Sequence, residues 1–144
     1  MAVEENVAVI RRHAVALNSG HVDAGLELFA DPCLFNGQPI GRETIRQMRA
    51  ILWTAAPDVR WVAEHIFAGG DWVAVRWTMR GNHTGAFVHP VWGSSPASGK
   101  PVALTYLDHY RIADRQIVET WEARDGLGLR EQFGLGVAPG RPTT

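Results

Sequence analysis

The chain has 144 residues, of which 46% are hydrophobic and 20% charged, and its formal net charge is −1. This is an ordinary globular balance at the size of one domain, 1–144, with a core over about 5–134 and a flexible tail over 135–144. It argues against nucleic acid, which needs clustered Lys and Arg, against a membrane span of ~18 apolar residues, and against an intramolecular disulfide, because Cys33 is the one cysteine.

The opening run MAVEENVAVIRRH carries acids where a secretion signal carries basic residues, so a cytoplasmic protein is expected. Glu4 to Asn18 predicts a helix with Val7, Ile10, Ala14 and Leu17 on one face. Asn18-Ser19-Gly20 stops it. Val22, Leu26 and Phe29 predict a second helix that ends at Asp31-Pro32. Cys33 to Phe35 is a short extended piece before the turn residues Asn36-Gly37. A third helix is expected over Arg42 to Trp53, with Ile45, Met48, Ile51 and Leu52 buried and Pro57 after it.

The periodicity then changes to two. Val59, Trp61, Ala63, His65 and Phe67 fall on one face of a strand, and Gly69-Gly70-Asp71 predicts a tight turn. From Trp72 to His83, Val73, Val75, Trp77 and Met79 alternate with Arg76, Thr78 and Arg80, as in a half-buried antiparallel strand. Residues 86–100, AFVHPVWGSSPASGK, read as a loop whose Phe87, Val88, Val91 and Trp92 suit it to cover a pocket mouth or a subunit contact. Strands follow over Val102 to Ile112 and Ile117 to Glu122, joined by Ala113-Asp114-Arg115-Gln116. Asp125 is placed to cap a last short helix, Gly126 to Phe133. Three helices, four long strands and one closing helix make an α+β fold with an antiparallel sheet.

Asp108 and Glu122 are the acids that stand out in the last two strands. A carboxylate in an apolar cavity is poorly solvated, and its pKa rises toward neutrality. Glu122 could then move protons as a general acid–base. The plain alternative is a solvent-facing glutamate paired with Arg111 or Arg124. Asp108 joins it only if both share a face: a three-residue loop sets 108 opposite 122, a four-residue loop sets 108 opposite 121. His65 and His83 follow the apolar parity of their strands and could polarise a carbonyl or shuttle a proton. Asn36 could donate to a substrate oxygen. Trp61, Trp77, Tyr106 and Tyr110 suit a cavity lining or the core beneath it, and Trp92 suits a gate. The six histidines have no metal-ligand spacing with neighbouring acids, so no metal is expected.

The stretches RWTMRGNHTGAF (76–87) and HYRIADRQIVETWEARDGLGLREQFG (109–134) resemble the SnoaL-like polyketide cyclases of the nuclear transport factor 2 superfamily. Trp121-x-x-x-Asp125 followed by Gln132-Phe133-Gly134 carries most of the resemblance. It implies a cone-shaped curved antiparallel sheet wrapped on three N-terminal helices, the nuclear transport factor 2-like (cystatin-like) α+β barrel. It also implies a deep apolar pocket for a small-molecule substrate and a homodimer through the sheet. The implied chemistry is an aldol-type ring closure, without metal or cofactor, on a polyketide- or terpenoid-like compound by a cyclase or isomerase. In the family an acid in the last strand is the acid–base group, and Glu122 falls there. Asp108 stands where the cyclases carry a pocket histidine, and Asn36 falls near a pocket asparagine. Leu17 stands in place of a pocket tyrosine and Met48 in place of an asparagine, so both would reshape the substrate site. The superfamily leaves open epoxide hydrolysis or epoxide-opening cyclisation, and a non-catalytic binding or partner domain.

Overall fold

The computed structural model describes residues 2–136. Helix α1 (Ala2–Ser19) leads through a short helix α2 (Val22–Leu26) into strand β1 (Phe29–Phe35), its hairpin partner β2 (Gln38–Ile40) and helix α3 (Arg42–Ala55). Strands β3 (Arg60–Gly69), β4 (Trp72–Asn82), β5 (Phe87–His89), β6 (Gly93–Ser95), β7 (Pro101–Ala113) and β8 (Gln116–Arg124) follow, and helix α4 (Gly126–Gln132) closes the described chain. The expected tail over 135–144 lies, from residue 137 onward, outside the described residues. No helix among the described residues is long and apolar enough to cross a membrane.

Six strands form one curved sheet in the order β2-β1-β8-β7-β4-β3, with β5 and β6 paired separately. The sheet is mixed, not purely antiparallel, because β1 runs parallel to β8. Three of the four helices precede β3, but the β1–β2 hairpin is inserted between the second and the third. Phe29 begins β1 and does not extend the second helix. Gly25 lets α2 pass so close to α1 that an added Cβ would lie 2.9 Å from that of Ala16, and the chain turns there into the sheet.

The inner face of the sheet is apolar and packs against the helices. Val73, Val75, Trp77 and Met79 of β4 are all at most 3% exposed. Burying side chains of this size stabilises the fold by roughly 1.5–3 kcal/mol each. On α1 the buried stripe is Val9, Ile10, His13, Ala16 and Leu17, rotated from the expected one toward a histidine. Residues 86–100 are not a plain loop: Phe87 and Ser95 pair across the β5–β6 hairpin. Phe87 and Phe133 stack with ring centroids 4.7 Å apart, tying the hairpin to the end of α4.

Two side-chain amides act as extra strand neighbours. Asn18 at the end of α1 donates to the carbonyl of Trp61 and accepts from its N–H, both at 2.8 Å. Asn36, in the turn after β1 with φ 49°, accepts from the N–H of Glu122 at 2.8 Å and donates to its carbonyl at 3.4 Å. The Gln132-Phe133 pair also has a structural account. Gln132 bonds both the N–H and the carbonyl of Ala103 at 2.7 and 2.9 Å, and the fully buried Phe133 meets the ring of His83 edge-on at 4.9 Å.

Candidate active site

The register of β7 and β8 decides the site. Asp114 and Arg115 both have positive φ, 49° and 62°, and form a two-residue hairpin loop. That loop alone would set residue 108 opposite 121. A bulge shifts the pairing, from Ile112 with Ile117 to Arg111 with Glu119, so that Asp108 stands opposite Glu122. Across the inner face, Trp77, Tyr106 and Arg124 then form one row, and Val75, Asp108 and Glu122 the next.

Trp77, Tyr106, Arg124, Asp108 and Glu122 of these rows floor a cavity of ≈140 Å³ whose other walls come from α1, α3, the β1–β2 hairpin and Trp61 of β3. The two carboxyls face each other on mostly apolar ground. Burial, then the charge of Glu122, pushes the Asp108 carboxyl up to about 8. Burial raises Glu122 as well, while Arg124 opposes the rise. Arg124 Nη1 donates to Glu122 Oε2 at 3.2 Å, with the Glu122 side chain 14% exposed.

Asp108 is fixed by a relay of donors. Trp77 Nε1 donates to the Tyr110 hydroxyl at 2.9 Å, and that hydroxyl donates to Asp108 Oδ2 at 2.9 Å. Oδ1 of Asp108 is buried and has no hydrogen-bond partner among the described residues. The proton of a neutral Asp108 therefore belongs on Oδ1, since Oδ2 already accepts.

Of the residues expected to bind substrate, Leu17, Met48, Trp61, Trp77, Tyr106 and Tyr110 line the cavity. Asn36 does not: its amide is spent on the backbone of Glu122, which makes it a positioning residue. His65 is also outside. A bulge between Ala63 and His65 reverses the parity of β3, so Ile66 turns toward the core while His65 and Phe67 are exposed. His83 is fully buried, but against Phe133 and the Ser98 hydroxyl, with Nδ1 3.1 Å from Oγ, and it is absent from the cavity lining. Trp92 stacks on His89 at 4.2 Å and carries the guanidinium of Arg124 over its ring at 6.0 Å, beside the lining. Asp125 caps α4, accepting from the Gly128 N–H at 2.8 Å.

Sequence reasoning missed His13 and Arg49, which line the cavity; Arg124 was expected only as the partner of a solvent-facing Glu122, and the pair forms inside the cavity instead. His13 lies three residues after Ile10, and Arg49 four after Ile45, so helical spacing put both on the buried faces. Among the described residues no group of three His, Cys, Asp or Glu side chains is arranged to hold a metal ion.

A curved sheet packed on helices, with an opposed carboxyl pair on the floor of an apolar cavity, defines the class of the domain as α+β with a cavity between sheet and helices. The chain belongs to the SnoaL-like polyketide cyclase family, whose model matches residues 7–133. AclR from Streptomyces galilaeus, a candidate hydroxylase, superposes with a TM-score of 0.78 at 20% identity over 97% of this chain and 86% of its own. IdmH from Streptomyces antibioticus, a candidate polyketide cyclase, gives 0.74 at 26% identity over 90% and 98%. TsrD from Streptomyces laurentii gives 0.76 at 20% identity over 92% and 96%. At 20% identity, AclR and TsrD speak to the fold alone. None of the curated proteins matches the chain in sequence.

Proposed function

We propose that this chain is a cofactor-independent cyclase or isomerase. It closes a ring in a polyketide- or terpenoid-like carbonyl compound, with Glu122 as general base and Asp108 as general acid. The observation that carries the reading is the direct opposition of the two carboxyls in an apolar cavity. Arg124 favours the ionised form of Glu122, while burial keeps the proton on Asp108. Burial raises both carboxyls, and the ion pair with Arg124 opposes that rise at Glu122, so of the two Asp108 is the one suited to hold the proton as acid and Glu122 the one suited to act as base.

In an aldol-type closure, Glu122 takes the proton from a carbon next to a carbonyl. The enolate carbon then attacks a second carbonyl of the same molecule, forming the new carbon–carbon bond as that carbonyl's π bond opens to an alkoxide. Asp108 protonates the oxygen that was that carbonyl, giving a hydroxyl. The proton on Glu122 returns to Asp108 across the strand pair, so nothing is consumed or oxidised. The apolar walls fold the chain so that its two reacting carbons meet.

The test is deuterium exchange at the acidic CH₂ of 2-tetralone in heavy water, followed by NMR. Glu122→Gln should lower the catalysed exchange by roughly 10²- to 10⁴-fold with the circular dichroism spectrum unchanged. Exchange at the wild-type rate in that variant would remove Glu122 from the mechanism. A homodimer through the sheet belongs to the same proposal, and its support is the outer face. Val62, Phe67, Leu107 and Trp121 point out there with 42–70% of their surface exposed, and a second copy would cover them. A cytoplasmic setting fits the single buried thiol of Cys33.

A further inference from the structure

We infer that the cavity has an anion subsite, made by Arg49 with His13 beside it, and that the substrate carries a carboxylate which pairs with the Arg49 guanidinium. This rests on the reading of the cavity as the substrate site.

Arg49 projects from α3 into the cavity, with its guanidinium 5.3 Å over the Phe29 ring. Its closest polar contact is His13 Nδ1, 3.5 Å from Nη2. No carboxylate lies within ion-pair reach of Arg49 among the described residues, whereas Arg124, the other arginine of the cavity lining, is paired with Glu122. An unpaired charge against apolar walls is costly, and its burial holds the Arg49 pKa down at about 10. His13 cannot offset it. It is packed among Phe29, Trp77 and Tyr110, and burial keeps it neutral.

The balance of charge in the cavity points the same way. Arg124 is paired with Glu122, and Asp108 holds its proton near neutral pH. The positive charge left over is that of Arg49. The acid pair is bracketed by Arg124, while Tyr110 separates it from His13. A carboxylate on Arg49 would therefore anchor one end of the substrate and leave its carbonyls over Asp108 and Glu122. Guanidinium is suited to this, because its planar fork matches a carboxylate with two parallel hydrogen bonds. An ester at the same point would leave the charge unmatched.

The probes are acetate, benzoate and cinnamate, each against its methyl ester, with binding measured by calorimetry and saturation-transfer NMR. For at least one pair the wild type should favour the acid by about 10- to 100-fold, the usual size of a charged hydrogen-bond pair. Arg49→Met should abolish the preference and Arg49→Lys should keep part of it. Thermal unfolding checks the fold of both variants. Glu122→Gln frees Arg124 and should keep or strengthen the preference while abolishing exchange, so failure of the acid–base reading and failure of the subsite are told apart. Equal binding of acid and ester overturns the subsite. So does a preference that survives Arg49→Met, and so does the absence of carboxylate binding throughout the series.

Discussion

Replacing Asp108 with Asn tests whether the acid of the pair holds its proton in the folded protein. In the unfolded chain an aspartate loses its proton near pH 4. In the folded chain burial and Glu122 raise that point to about 8. Between these values the folded state binds more protons than the unfolded state, so stability falls as pH rises and levels off above about 8. Four units at 1.36 kcal/mol each set a ceiling of about 5–6 kcal/mol. Relaxation around the ionised pair reduces such penalties, so the loss expected between pH 5 and 9 is about 2–4 kcal/mol. For a chain of this length that is roughly 6–15 °C in Tm. Asp108→Asn removes the titration and keeps an acceptor for the Tyr110 hydroxyl. Thermal unfolding followed by circular dichroism at pH 5, 7 and 9 should show the wild type losing Tm relative to the variant by that amount. Parallel curves for the two proteins would mean that Asp108 ionises normally, and the acid role would fall with it.

Asn36→Ala removes both hydrogen bonds to the Glu122 backbone. It should cost about 1–3 kcal/mol in chemical denaturation and lower kcat for 2-tetralone exchange more than it changes KM. A fall in stability with kcat intact would make Asn36 a structural clamp without influence on the base. Leu107→Glu puts a charge in the middle of the exposed outer face, where Leu107 is 57% exposed. Light scattering should find a dimer for the wild type and a monomer for the variant, with Tm nearly unchanged. A monomeric wild type would refute the dimer.

Much of the fold was legible because period two survives intact in β4 and β7. In β4 every second residue from Val73 to Met79 is buried, as the alternation predicts. The misreadings have local physical causes. In β3 the alternation Trp61, Ala63, His65, Phe67 continues on paper past a bulge that turns the real chain over. Phe29 keeps helical spacing with Val22 and Leu26, yet it pairs with Ile117 in the sheet. A histidine and an arginine on buried helix faces were passed over because a hydrophobic stripe counts only apolar residues, and these two line the site. Asn36 is the turn residue its sequence context predicts, but its amide serves the backbone of Glu122, 86 residues away, and not a substrate, which no local pattern signals.

The opposition of Asp108 and Glu122 follows from one extra residue in β8. Without the bulge, the two-residue loop at Asp114-Arg115 would continue a register in which Trp121 faces Asp108. Glu122 would then lie on the outer face, beside solvent and unperturbed by burial. The bulge lets Ile117 stay in the core and still turns Thr120, Glu122 and Arg124 inward beyond it. Bulges near functional sites re-aim side chains in this way. Asn36 then fixes the backbone of the re-aimed segment, on the edge where β1 runs parallel to it. The base of the proposed mechanism is thus placed by backbone geometry, and its partner by the relay from Trp77 through Tyr110. The helices supply the other walls of the cavity, and Arg49 of α3 is the residue through which the proposed anion subsite acts.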